Sequence, residues 1–187
     1  MAIGKISDFK SALTLGGARP SLFDVQIYSP TGPTGLDALS KSQYQCTTTS
    51  IPGLTVTPIE KQYFGRTIKL PGEMTFGTLS TTFINPEDYG IRKAMETWAE
   101  YINGTETNLA GSVTPSEWYG QIKIRQYTKD GDVAIDFEFV DCWPSAVDPI
   151  ELSYDTTGAM EEFSVTWEYN YYTSTKQTTS TALGDQE

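Results

Sequence analysis

The sequence predicts a mainly β protein, an antiparallel β-sandwich or barrel carrying one packed α-helix over about residues 86–102. Three observations carry this reading. Val133, Ile135, Phe137 and Phe139 alternate with Ala134, Asp136 and Glu138. Phe163, Val165, Trp167, Tyr169 and Tyr171 alternate with Ser164, Thr166, Glu168 and Asn170. Strict alternation places each set on its own face of a pleated strand. Finally, only one stretch has the 3.6-residue spacing of a helix: Ile91, Ala94, Met95, Trp98 and Ile102.

The elements follow in order. Residues 1–17 are weakly patterned and end in Gly16-Gly17; they read as a flexible arm with one helical turn around Ile6 to Leu13. Leu22 to Tyr28 is a strand with Phe23, Val25 and Ile27 on one face. Residues 29–42 hold Pro30, Gly32, Pro33 and Gly35 and read as a loop. Tyr44 to Thr49 is a Thr-rich strand, broken by Ile51-Pro52-Gly53. Leu54 to Gln62 and Arg66 to Leu70 form a hairpin through Tyr63-Phe64-Gly65, ended by Pro71-Gly72. Thr78 to Ile84 is a further strand, its threonines suited to a half-buried pleat.

Asn85 is a favourable N-cap, Pro86 suits the first helical position, and Glu87 and Asp88 complement the dipole. Asn103-Gly104 stops the helix, and residues 104–117 are a loop. Tyr119 to Val140 is a long hairpin turning at Lys129-Asp130-Gly131, and Cys142-Trp143-Pro144 ends it because proline cannot continue a ladder. Asp148 to Tyr154 is a short strand, and Met160 to Tyr172 a long one. The chain thus divides into an arm (1–17), a β domain (18–172) and a Ser/Thr-rich tail (173–187) whose one large apolar side chain is Leu183.

Composition narrows function. The chain has 187 residues and a net charge of −11, with pI near 4.4 and mean hydropathy −0.35. One core of ordinary size is expected. No apolar run is long enough to span a bilayer, and no secretory signal is evident near the N-terminus, so membrane partnership is not expected. The acidity excludes general electrostatic binding of nucleic acid, which needs Lys and Arg on phosphates. There is no histidine, which removes Ser-His-Asp and Cys-His catalysis and His-based metal sites. Cys46 and Cys142 read as small buried hydrophobes. Phosphate-cradling glycine motifs are absent. Asp136 with Glu138, and Glu162 with Glu168, share strand faces and read as surface charge rather than a glycosidase pair. Trp118, Trp143 and Trp167 could stack on sugars, but Trp167 sits on the apolar face of its strand. No catalytic, cofactor-binding or metal-ligating residue is assigned.

Several segments together resemble one family, the tail tube proteins of contractile-tailed bacteriophages. They are Ala18-Arg19-Pro20-Ser21-Leu22-Phe23, Ser50-Ile51-Pro52-Gly53, Tyr63 to Gly72 with Thr75-Phe76, the helix through Trp98, Ile124-Arg125-Gln126-Tyr127, Trp143-Pro144, and Glu162 to Thr166. They span roughly residues 18–172 in the family's order. The 29–42 loop and the Ser/Thr-rich tail look longer than its pattern.

The resemblance implies a structural subunit of the virion tail, made in the host cytoplasm. It implies hexameric rings with sheets joined into a continuous barrel, stacked inside a contractile sheath, with baseplate and tail-terminator proteins at the ends. Genomic DNA passes through the lumen without specific binding. In the family the hairpin holding Tyr63, Phe64, Gly65 and Arg66 reaches toward the next ring, so these are candidate stacking residues; Asp136 and Glu138 are candidate lumen residues. Two other readings remain: a tube or initiator of a related injection or secretion particle, and a carbohydrate-binding β-sandwich. The arm and the acidic tail end (Asp185, Glu187) are candidates for ordering on assembly.

Overall fold

The computed structural model describes residues 6–13, 17–155 and 158–175. The tail from residue 176 on, with Leu183, Asp185 and Glu187, and parts of the arm lie outside the described residues. A short helix α1 (Ile6–Ala12) falls where one turn was expected. The strands are β1 (Phe23–Tyr28), β2 (Cys46–Thr49), β3 (Leu54–Tyr63), β4 (Arg66–Phe76), β5 (Leu79–Ile84), β6 (Gly120–Tyr127), β7 (Val133–Val147), β8 (Glu162–Glu168) and β9 (Tyr171–Thr175). Two further helices are α2 (Ser42–Gln45) and α3 (Gly90–Ile102).

Among the described residues, seven strands form one antiparallel path, β1-β6-β7-β8-β5-β2, with β9 also on β7. Among the described residues β3 and β4 pair only with each other. The long path folds over a single core because β7 bends midway. Its first part pairs with β6 and β9, and its last part with β8. The bend is at Asp141, whose φ is +58°. Opposite it, Asn170 separates β8 from β9; its side-chain amide donates to Asp141 Oδ2 at 2.8 Å and its backbone N–H to the Val140 carbonyl at 3.1 Å. Two adjacent strands kinked at one level turn a single sheet into two packed layers.

The core holds Val25, Ile27, Phe83, Ile122, Ile124, Phe139, Phe163, Val165 and Trp167 from the strands. α3 closes it with Ile91, Ala94, Met95 and Trp98, the stripe read from the sequence. Trp98 packs edge-on against Trp167 at 5.7 Å and donates its indole N–H to the Trp118 carbonyl at 2.8 Å.

Several expectations are corrected. α3 starts at Gly90, not Pro86. Residues 86–89 form a turn closed by the Tyr89 N–H on the Pro86 carbonyl, and Asp88 Oδ1 accepts the Gly90 N–H at 2.9 Å. Asn85 does not cap it, because the helix begins five residues later; its side-chain NH2 donates instead to Glu161 Oε2 at 2.9 Å. Tyr44 lies in α2, inside a short helical stretch that begins with a 3-10 turn at Asp37–Lys41. Pro71-Gly72 and Trp143-Pro144 do not end their strands. Each is carried through by a register shift, between Val56 and Pro58 in one pair and between Pro144 and Ala146 in the other. Residues 148–153 form no strand, and Leu152 and Tyr154 stay exposed. The break at Asn170 also reverses parity, so Tyr172 rather than Tyr171 faces the core, and β9 extends pairing through Thr175.

Candidate functional site

Two surfaces stand out. The first is the ribbon of β3 and β4. Its strands of 10 and 11 residues reach roughly 33 Å at about 3.3 Å per residue. Leu54, Val56, Ile59, Ile68, Leu70 and Met74 are all exposed along it. Leu54 and Val56 oppose Phe76 and Met74, whereas Ile59 and Tyr63 oppose Leu70 and Arg66. Even and odd positions of β3 point to opposite faces, so the apolar side changes between root and tip. The change occurs at the register shift, where three residues of β4 span two of β3. Gly72 is required there, since a Cβ would collide with the Thr57 carbonyl oxygen. The root is fixed to the body by Phe76, 5.4 Å from the Tyr172 ring, and by the Tyr169 hydroxyl donating to the Gly77 carbonyl at 2.5 Å. Burial pushes the Tyr169 hydroxyl up to about 12.

The tip gathers the four expected stacking residues. Tyr63 pairs with Arg66, and Phe64 and Gly65 make the turn with φ of 44° and 77°. Left-handed backbone suits Gly or Asn; in a bulky residue it is strained. Phe64 is nevertheless 91% exposed, and its ring meets that of Tyr63 edge-on at 4.6 Å.

The second surface is the face of β1, β6, β7 and β9 turned away from the core. Register places its side chains in two continuous rows, Asp24-Arg125-Asp136-Thr175 and Gln26-Lys123-Glu138-Thr173; beyond them Tyr28 pairs with Gln121 and Val140 with Tyr171, on either side of a register shift between β6 and β7. Cations on β6 stand between acids on β1 and β7. Arg125 lies 3.8 Å from Asp24, and Lys123 lies 3.8 Å from Asp136. Gln121 donates to Glu138 at 2.6 Å, Tyr127 donates to Asp24 at 3.0 Å, and Arg125 donates to Gln26. Burial, and then the Asp24 carboxylate, hold the Tyr127 hydroxyl above its usual range.

Asp136 and Glu138 do share this face, but they are not free surface acids. Asp136 is only 8% exposed, and three acids are set against two cations. The alternation in β7 signalled the acids; Asp24 and Gln26 were missed because β1 alone gives no sign of which strand lies beside it. The ribbon flanks were missed because both faces of a two-stranded ribbon carry apolar side chains at alternate sites. Among the described residues no group of three or more His, Cys, Asp or Glu could hold a metal ion, and no helix is long and apolar enough to cross a membrane.

The family model for phage tail tube proteins matches residues 18–175. The chain is 26% identical over 166 residues to the tail tube protein of Serratia phage KSP90, covering 88% of this chain and 93% of that one. It is 28% identical over 156 residues to tail tube protein gp19 of Enterobacteria phage T4, covering 83% and 90%. Among solved structures, a chain from the sheath–tube complex of an extracellular contractile injection system, PVC, superposes with a TM-score of 0.63 at 10% identity, covering 93% of this chain and 99% of that one. A chain from the tube-terminating cap of the anti-feeding prophage gives 0.59 at 15% identity, covering 86% and 92%. At these identities the structures speak for fold alone.

Proposed function

This chain belongs to the phage tail tube protein family, and on that premise we propose that its two surfaces divide the work of a tube: the ribbon joins rings end to end, and the polar face lines the channel. The observation that carries this is the ribbon. An isolated two-stranded hairpin is marginal in water, and one apolar along roughly 33 Å is a liability unless another copy covers it. The ribbon also carries three cations and two acids in a chain of net charge −11, so its tip is attracted to the acidic bodies of other copies.

Six copies closing into a ring, with rings stacked, is the arrangement that the family resemblance implies. Tyr63, Phe64, Gly65 and Arg66 then meet the neighbouring ring, and Asp136 and Glu138 face the lumen in their compensated rows. Such a wall has no unpaired cation cluster to hold phosphate, so DNA slides through without specific binding. Sheath, baseplate and terminator proteins are the partners of that assembly; the subunit waits in the host cytoplasm, and its role is structural rather than enzymatic.

Negative-stain electron microscopy of dilute and concentrated protein, wild type beside Phe64→Ala, tests this. Stacked rings or tubes from wild type, with few or none from a folded Phe64→Ala, are expected. Normal tubes from the variant remove the ribbon tip from stacking. A wild type that stays monomeric at every concentration argues for an initiator-like subunit, which caps rather than polymerises.

A further inference from the structure

We infer that Asn103-Gly104 is a latent self-modification site, an asparagine deamidation site that the loop after α3 keeps closed. Of the chain's four asparagines, Asn85, Asn103, Asn108 and Asn170, only Asn103 precedes glycine. The reaction is an attack by the next residue's backbone nitrogen on the asparagine side-chain carbonyl carbon. Asn85 is followed by proline, whose nitrogen has no hydrogen to lose. Asn108 and Asn170 are followed by Leu109 and Tyr171, whose side chains crowd the attack, whereas Gly104 has none. Asn103 is exposed, so water reaches it.

In the open chain the Gly104 nitrogen gives its proton to water or hydroxide and forms a bond to Asn103 Cγ. The Cγ–NH2 bond breaks and ammonia leaves, closing a succinimide ring. Water then splits the ring, at Cγ to leave aspartate or at the backbone carbonyl to leave isoaspartate.

The fold blocks the first step in two ways. The nucleophile is tied, since the Gly104 N–H donates to the Leu109 carbonyl at 3.0 Å. It also points away: ring closure requires the Gly104 nitrogen to eclipse Cβ, whereas Asn103 is extended, with φ −149° and ψ 106°. Neighbouring bonds hold the tie. The Asn108 N–H donates to the Gly104 carbonyl at 2.8 Å, the Leu109 N–H to Thr107 Oγ1 at 3.3 Å, and the Gly111 N–H to the Tyr101 carbonyl at 2.8 Å. The Tyr101 ring lies so close to Gly111 that a Cβ there would collide with it. Conversion therefore needs the loop to open, and its rate follows the open fraction. Loss of ammonia makes the change one-way. It adds a carboxylate at the C-terminal end of α3, one turn beyond Glu100, where the helix dipole disfavours it.

Peptide mass mapping of the full chain, incubated at mildly alkaline pH with and without urea, tests the site. Folded wild type is expected to convert Asn103 at least roughly tenfold more slowly than the unfolded chain. Gly111→Ala, which displaces the Tyr101 ring, is expected to speed conversion in a chain that keeps its circular dichroism. If Gly111→Ala does not fold, Thr107→Ala, which removes the acceptor of the Leu109 N–H, gives the same reading. Hydrogen exchange of the Gly104 amide should rise together with conversion. Equal rates with and without urea overturn the lock, and no conversion in urea overturns the site. Faster Gly104 exchange with unchanged conversion overturns the role of the Leu109 bond. A folded variant that alters neither overturns the hold by its neighbours.

Discussion

α3 and the ribbon are built from similar side chains and meet opposite fates. Ile91, Met95 and Trp98 of α3 are at most 1% exposed, whereas Val56, Ile59, Ile68 and Leu70 of the ribbon are 42 to 56% exposed. The helix finds its partner within the same chain, under the bent sheet. The ribbon has only itself, and two strands have no third layer to pack on. Apolar patterning therefore states a demand for burial without saying which molecule meets it.

The largest expected effect is on the helix side. Trp98→Ala removes a fully buried ring that touches Trp167, and should cost about 3–5 kcal/mol, measured by urea unfolding of the dilute subunit. A smaller effect lies where the ribbon joins the body. Tyr169 is held neutral by burial with its pKa at about 12, above the usual value near 10. Its contribution is complete below about pH 10 and declines as pH rises toward about 12, because only the unfolded chain then ionises it freely. Thermal melts against pH should show that decline, and Tyr169→Phe should flatten it.

Phe64→Asn comes next. Asn accepts left-handed backbone, so the free subunit should gain about 1 kcal/mol, while tube growth falls because the exposed ring is lost. A more stable subunit that also grows tubes normally would erase the contrast between helix and ribbon. The smallest effect on the subunit belongs to Ile68→Asp. Unfolding should shift by less than about 0.5 kcal/mol, and sedimentation should show assembly lost.

Much of the architecture was legible because it depends on local periodicity. The α3 stripe, the Lys129-Asp130-Gly131 turn and the alternation in β8 appear in the structure as read, whereas in β7 the two faces hold but Asp136 is buried on the one read as surface. The errors cluster where a distant residue decides. Asn85 looks like a cap, but its NH2 reaches across to Glu161 and the helix starts only at Gly90. Pro71 and Pro144 look like strand ends until a register shift excuses their missing donors. Tyr171 and Tyr172 exchange faces because Asn170 answers Asp141 from another strand. Of the candidate sites, the ribbon tip was visible as aromatics around a turn glycine. The ionic rows were half visible: β7 shows its acids and the neighbouring strand of its hairpin shows Lys123 and Arg125, but nothing shows that Asp24 and Gln26 of β1 stand on their other side.

The rows on the polar face have one more consequence. Where β1, β6 and β7 carry charge, its sign changes from one strand to the next, over ~4.8 Å. A potential that alternates on that scale dies away within about one spacing of the surface, well inside the ~8 Å over which salt screens a lone charge. Beyond that distance the paired charges cancel, and what is felt is chiefly the one acid in excess of the two cations. On the proposed channel wall, such pairing would lower friction.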